Sequence, residues 1–194
     1  MTNWAHHTWN SNMCKRNGFI LGLLAATFFL TMSSSVSYAR PKSFGATFSF
    51  TGFALSYEHE LERYNSFIEA SLKAETAELF LYRADLPGVS GTVTWNIKVK
   101  EWLSAEGNRL TFFAGPGIIA GYGYDYKMPQ GVFFGLKGRI GIECSFYRNV
   151  VISAFVSPVI GSHVEIYNDH LMMRYYRQGI AYALVPEIGI KYRF

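Results

Sequence analysis

Apolar and polar residues alternate with a period of two through eight successive segments of the chain, and no other property of the sequence restricts its fold as tightly. A two-residue period is that of a strand with unlike faces. Segment one, about residues 43–50, sets Phe44, Ala46, Phe48 and Phe50 against Gly45, Thr47 and Ser49, and Thr51-Gly52 then reads as a tight turn. Segment two, about 53–61, opposes Phe53, Leu55 and Tyr57 to Ser56, Glu58 and Glu60, and segment three, about 65–76, opposes Ile68, Ala70 and Leu72 to Glu69, Ser71, Lys73 and Glu75. Segment four, about 89–104, sets Val89, Val93, Trp95, Ile97 and Val99 against Ser90, Thr92, Thr94, Asn96, Lys98 and Lys100. Segments five (about 110–125), six (about 132–147) and seven (about 150–167) continue the rule, and segment eight runs over 180–194.

The amino terminus has a different grammar. Lys15 and Arg16 precede an apolar run over 18–32, a polar stretch follows, and Ser37-Tyr38-Ala39 ends it before Arg40-Pro41. This order predicts a secretory signal peptide over 1–39, cut between Ala39 and Arg40, and a single domain over 40–194. The run is short of the roughly twenty residues that a spanning helix needs. Cys14 precedes it, where a lipidated cysteine would follow it, and Met13 offers a second start.

Removing Lys15 and Arg16 lowers the formal net charge from +4 to +2, which gives no basis for nucleic-acid binding. Only Cys144 remains, so neither an internal disulfide nor a thiolate metal site is expected. No other run is long and apolar enough to span a membrane as a helix.

Ile188, Ile190, Tyr192 and Phe194 stand at alternate positions up to a terminal aromatic. The pattern resembles the closing strand of bacterial outer-membrane β-barrels, which implies recognition by the barrel-assembly machinery. With eight segments, the fold expected is an all-β, eight-stranded antiparallel transmembrane β-barrel after a cleaved signal peptide, and the architecture resembles the small OmpA/OmpX-type barrels. The outward face would meet outer-membrane lipid. Two aromatic girdles are expected, Phe44, Tyr57, Phe112, Phe146, Tyr192 and Phe194 at one rim, and Phe50, Phe53, Tyr122, Tyr124, Phe134 and Tyr182 at the other. The long segments four to seven suggest a hairpin standing above the membrane, with an edge able to accept a foreign strand. A soluble sandwich or lipocalin-like barrel is the structural alternative, with its apolar face turned inward.

Parity then fills the lumen with charge: Glu58, Glu60, Glu69, Glu75, Glu143, Glu165 and Glu187 against Lys73, Lys98, Lys100, Lys137, Arg139, Lys191 and Arg193. An eight-stranded barrel is only wide enough for side chains to fill it, so these residues are expected to form an ion-pair plug rather than a permeation path. Gly115, Gly117, Gly121 and Gly123 leave room for the long side chains opposite or for a small pocket. Ser162, His163 and Glu165 suggest a hydrolase site only superficially. The serine lies on the face opposite the other two, out of reach of its base; His163 is expected to bond a neighbouring carboxylate. No catalytic residue, metal or cofactor is expected.

The segment 168–179 carries His170, Met172, Met173, Arg174, Tyr175, Tyr176 and Arg177, residue types enriched at interfaces. It is expected as an outer surface loop that meets a surface protein partner, or rests its arginines on lipopolysaccharide phosphates. The function expected is a non-enzymatic envelope scaffold or cell-surface interaction module. Residues 113–122 (FAGPGIIAGY) and the pattern over 135–147 also resemble the small TraO-like proteins of conjugative transposons, which implies an accessory barrel of a conjugation or secretion apparatus. A narrow pore and a lipid-modifying enzyme are the remaining alternatives.

Overall fold

Strands with one apolar and one polar face must bury one of them and leave no edge, and here the sheet does so by curling onto itself. A computed structural model of the protein describes residues 41–61, 64–77, 87–104, 107–125, 128–146, 149–167 and 170–194, with the side chains of 128–129, 166–167 and 170 outside the description. The expected signal peptide, including Ala39 and Arg40, lies outside the described residues. The elements are β1 (Lys42–Ser49), β2 (Gly52–Leu61), β3 (Ser66–Glu75), β4 (Gly88–Leu103), β5 (Arg109–Asp125), β6 (Met128–Phe146), β7 (Val150–Val156), β8 (Val159–Tyr167), β9 (His170–Tyr175), α1 (Gln178–Ala181) and β10 (Glu187–Arg193).

Antiparallel pairing runs β1-β2-β3-β4-β5-β6-β7-β10 and returns to β1, a closed ring of eight strands. The ring closes where Ser43 faces Arg193 and Ser49 faces Glu187. At the lower rim Lys42 N–H donates to the Phe194 carbonyl (3.1 Å) and Phe194 N–H to that of Lys42 (2.8 Å). Phe48, Leu55, Val93, Ile118, Ile140, Ile152 and Ile190 stand exposed on the outside, while Ser43, Glu58, Thr94, Glu143 and Lys191 are buried within. A soluble barrel has the opposite distribution. The chain is an all-β, eight-stranded antiparallel barrel of the transmembrane kind.

The wall is uneven. β5 has 17 residues and β6 has 19, against 8 in β1 and 7 in β10. Where β7 ends, β6 pairs instead with β8 and β8 with β9, so the tall side carries an added sheet that ends at β9.

The strands depart most from the expected segments in four places, three of them marked by proline or a bulge. Segment seven is two strands, broken at Ser157-Pro158, because proline has no N–H for the ladder. The Pro158 carbonyl still accepts from Gly138 N–H at 2.8 Å, and the two halves take different neighbours, β10 for β7 and β9 for β8. Segment eight is strand only from Glu187, because Pro186 interrupts the ladder and 178–181 coils into α1 instead. The expected loop 168–179 contains β9, a hairpin partner of β8. In β4 the register slips between Lys98 and Lys100. The bulge reverses the parity beyond it, turning Lys100 out of the lumen and Glu101 toward it.

The first turn lies one residue earlier than expected, at Phe50-Thr51. Gly52 has φ 148°, and a Cβ there would strike the Ala74 carbonyl oxygen, so glycine alone fits. Among the residues expected to form girdles, Tyr182 is instead half-buried and lines a cavity in the lumen.

Candidate functional site

Among the described residues, the strands bring charged side chains together in the lumen, at three levels. At the lower rim a cavity of about 350 Å³ is lined by Glu60, Asn65, Lys98, Glu101 and Arg109. Lys98 is ion-paired with Glu60 and lies 3.7 Å from Glu101, whose carboxylate is also 3.8 Å from Arg109. Glu101 was not among the residues expected here. It joins the group because of the bulge, while Lys100 is exposed with its ammonium 5.2 Å from the Trp102 ring.

The middle level is dense. Lys191 Nζ donates to Glu58 at 2.6 Å, Glu143 at 2.7 Å and Glu69 at 2.8 Å. The three carboxylates stand on β2, β6 and β3, so one ammonium of β10 ties four staves across the lumen. Arg139 lies 2.5 Å from the other oxygen of Glu69. Its guanidinium carbon stands 3.6 Å from the Phe155 ring centroid and 5.2 Å from that of Phe113, a cation over the negative faces of two rings.

Phe67, Phe113 and Phe155 form a buried cluster at this level, with Phe67 and Phe113 edge to face at 5.4 Å. Sequence reasoning passed over these inward phenylalanines by attending to the polar members of the inner face. Parity could have found them, since Phe67 shares the face of Glu69 and Phe155 that of Ser153.

The upper level is a chamber of about 70 Å³. Lys73 donates to Thr51 Oγ1 at 2.6 Å and lies 3.7 Å from Glu187. Glu75 accepts from Ser90 Oγ at 2.8 Å. Lys137 lines the chamber with no carboxylate within 4 Å among the described residues. Arg193, half-buried near the lower rim, likewise has no ion pair among the described residues. Glu165 is buried with one oxygen unpartnered.

The chamber has a roof. Asp125, at the tip of the β5–β6 hairpin, accepts from the backbone N–H groups of Arg177 (3.2 Å) and Gln178 (3.0 Å), capping the start of α1. Tyr176 is buried and stacks on Phe133 at 4.6 Å with the rings 2° from parallel. It therefore leaves the expected exposed group, of which Met173, Arg174, Tyr175 and Arg177 are exposed and Met172 is half-buried. The side chain of His170 lies outside the described residues.

The Ser162, His163 and Glu165 triplet assembles no catalytic geometry. His163 is buried, with Nε2 3.3 Å from the Gly123 carbonyl oxygen rather than on the expected carboxylate. Ser162 pairs with Tyr175 and Phe134 on the outer side of the sheet.

No protein-family model matches the chain, and no curated protein matches it. Among solved structures, the chain is similar to the N-terminal β-barrel domain of Pseudomonas aeruginosa OprF, at 11% identity and a TM-score of 0.42, over 79% of this chain and 96% of that domain.

Proposed function

We propose that the protein is a non-enzymatic barrel of the bacterial outer membrane, with its lumen closed by ion pairs, and that it serves as an envelope scaffold or cell-surface interaction module. The observation that carries this reading is Lys191 with its three carboxylates at the middle of the lumen. Buried charge is tolerated when each member is paired and hydrogen-bonded, and a path for ions would require breaking that group. The apolar exterior supports residence in lipid. The added sheet supports the surface role, since β9 has β8 on one edge and no strand on the other among the described residues, while Leu171, Met173 and Tyr175 are exposed.

The test is a planar-bilayer recording of the purified protein. A closed lumen gives no steady openings. Large, steady single-channel currents would replace this reading with a pore, and recovery of the protein only in the soluble periplasm would end the membrane reading.

A further inference from the structure

The bonds that β9 makes to β8 fix what its other edge presents. Tyr176 N–H donates to the Gly161 carbonyl at 2.9 Å, and Tyr175 stands opposite Ser162. In an antiparallel ladder, opposed residues alternate between pairs that bond each other and pairs whose N–H and C=O point away. The backbone groups of Arg174 and Met172 therefore turn to β8, and those of Tyr175, Met173 and Leu171 turn to the free edge. Each of the three carries one donor and one acceptor, and no strand lies beside them among the described residues. Through β8, Met173 is level with Val132 and Tyr175 with Phe134, both in the exposed apolar band of β6. Lipid offers such groups no partner.

The side chains select what covers this row. Leu171, Met173 and Tyr175 are exposed on the outer face. Arg174, on the other face, is exposed with its guanidinium 4.0 Å from Met172 Sδ and no carboxylate within 4 Å among the described residues. An anionic lipid headgroup would serve Arg174 but brings no N–H to the three carbonyls. A second copy in the same membrane fails on symmetry: the two-fold axis that pairs a strand antiparallel with itself is normal to the sheet. In an upright barrel wall that axis lies in the membrane plane and turns one barrel over. An extended peptide satisfies the row, and its residue opposite Arg174 falls in the closer, non-bonded class of pair, where a carboxylate meets the guanidinium. We propose that the β9 edge accepts, antiparallel, an extended segment of a different protein, with apolar residues opposite Leu171, Met173 and Tyr175 and an acidic residue opposite Arg174. The proposal rests on the outer-membrane reading and names the partner for its surface role.

Fluorescence anisotropy of a dye-labelled peptide, Val-Glu-Val-Thr-Val, titrated with the full protein purified from membranes in detergent, tests it. The peptide binds saturably, and binds at least tenfold more weakly when its Glu is replaced by Lys or when its three Val amides are N-methylated. Met173→Pro removes one outward N–H while leaving the β8 ladder whole, and weakens binding at least tenfold. Arg174→Glu reverses the preference between the Glu and Lys peptides. Folding of both variants is checked by heat-modifiable gel migration; where Met173→Pro does not fold, the N-methylated peptide on the unmodified protein decides. No saturable binding, undiminished binding of the N-methylated peptide, or an unchanged preference in Arg174→Glu overturns the site. Self-association abolished by Met173→Pro would give the edge to a second copy and overturn it too. Absent peptide binding in a membrane-resident, non-conducting barrel removes this edge site and leaves the closed barrel standing, whereas recovery only in the soluble periplasm removes both.

Discussion

Lys191 and Glu69 are 122 positions apart in sequence, yet the ammonium of one lies 2.8 Å from the carboxylate of the other. Their strands are separated in the ring by β1 and β2 on one side, so the bond crosses the lumen rather than following the wall. It forms only when the barrel is closed. Lys191→Met leaves Glu58 and Glu143 without their ammonium and Glu69 with Arg139 alone, and is expected to lower stability by about 3 to 5 kcal/mol. Ile190→Val, one residue away and facing outward, is expected to cost under about 1 kcal/mol. Urea unfolding in detergent, followed by tryptophan fluorescence, gives both values; equal losses would contradict the plug.

Arg139→Lys keeps the charge near Glu69 and forfeits the flat contact with Phe155. A loss of about 1 to 2 kcal/mol is expected for a desolvated cation over a ring. In the Phe155→Leu background most of that difference should vanish. A double-mutant cycle on unfolding free energies reads the coupling directly.

Two glycines separate conformational need from mere smallness. Gly52→Ala places a Cβ against the Ala74 carbonyl oxygen at φ 148°, whereas at Gly91 the nearest atom to a new Cβ is 4.0 Å away. Gly52→Ala is expected to destabilise by more than about 1 kcal/mol, with Gly91→Ala within about 0.5 kcal/mol of the parent. Refolding yield and unfolding midpoint would both report the contrast.

Asp125→Ala removes the acceptor for the Arg177 and Gln178 amides. Loss of such a cap costs about 1 kcal/mol, which corresponds to roughly fivefold faster exchange of protected amides over the roof. Hydrogen exchange by mass spectrometry should show this acceleration in peptides covering 176–182 and no change in β1 to β3. Acceleration throughout the barrel would mean that Asp125 stabilises the fold rather than the roof.

Most of the wall was legible because side-chain parity in a strand is strict, and lipid outside with charge inside makes the two faces chemically unlike. The first six segments are strands within a few residues at their ends, the largest shift being the start of β6 at Met128. What escaped was local. A period of two continues through Ile180, Tyr182 and Leu184 up to Pro186, and the alternation alone carries no sign that the backbone beneath it turns helical. The bulge in β4 needs one residue without a partner, and nothing in Lys98-Val99-Lys100 marks which. The candidate site was legible as a set of charges but not as pairs. Register and barrel shear decide which charges meet, and they put Lys191 among three glutamates while leaving Lys137 with none within 4 Å among the described residues.

The uneven wall has a consequence for the lipid around it. Exposed apolar residues extend from Phe44 to Phe50 across β1 and its turn, but from Val132 to Ile142 along β6. At about 3.4 Å per residue and a tilt near 40°, the first stretch covers roughly 16 Å of bilayer thickness and the second about 26 Å. Acyl chains beside the β1–β10 seam must compress to match it, while those beside β6 keep nearly their full length. The barrel therefore imprints a thickness gradient around its own circumference.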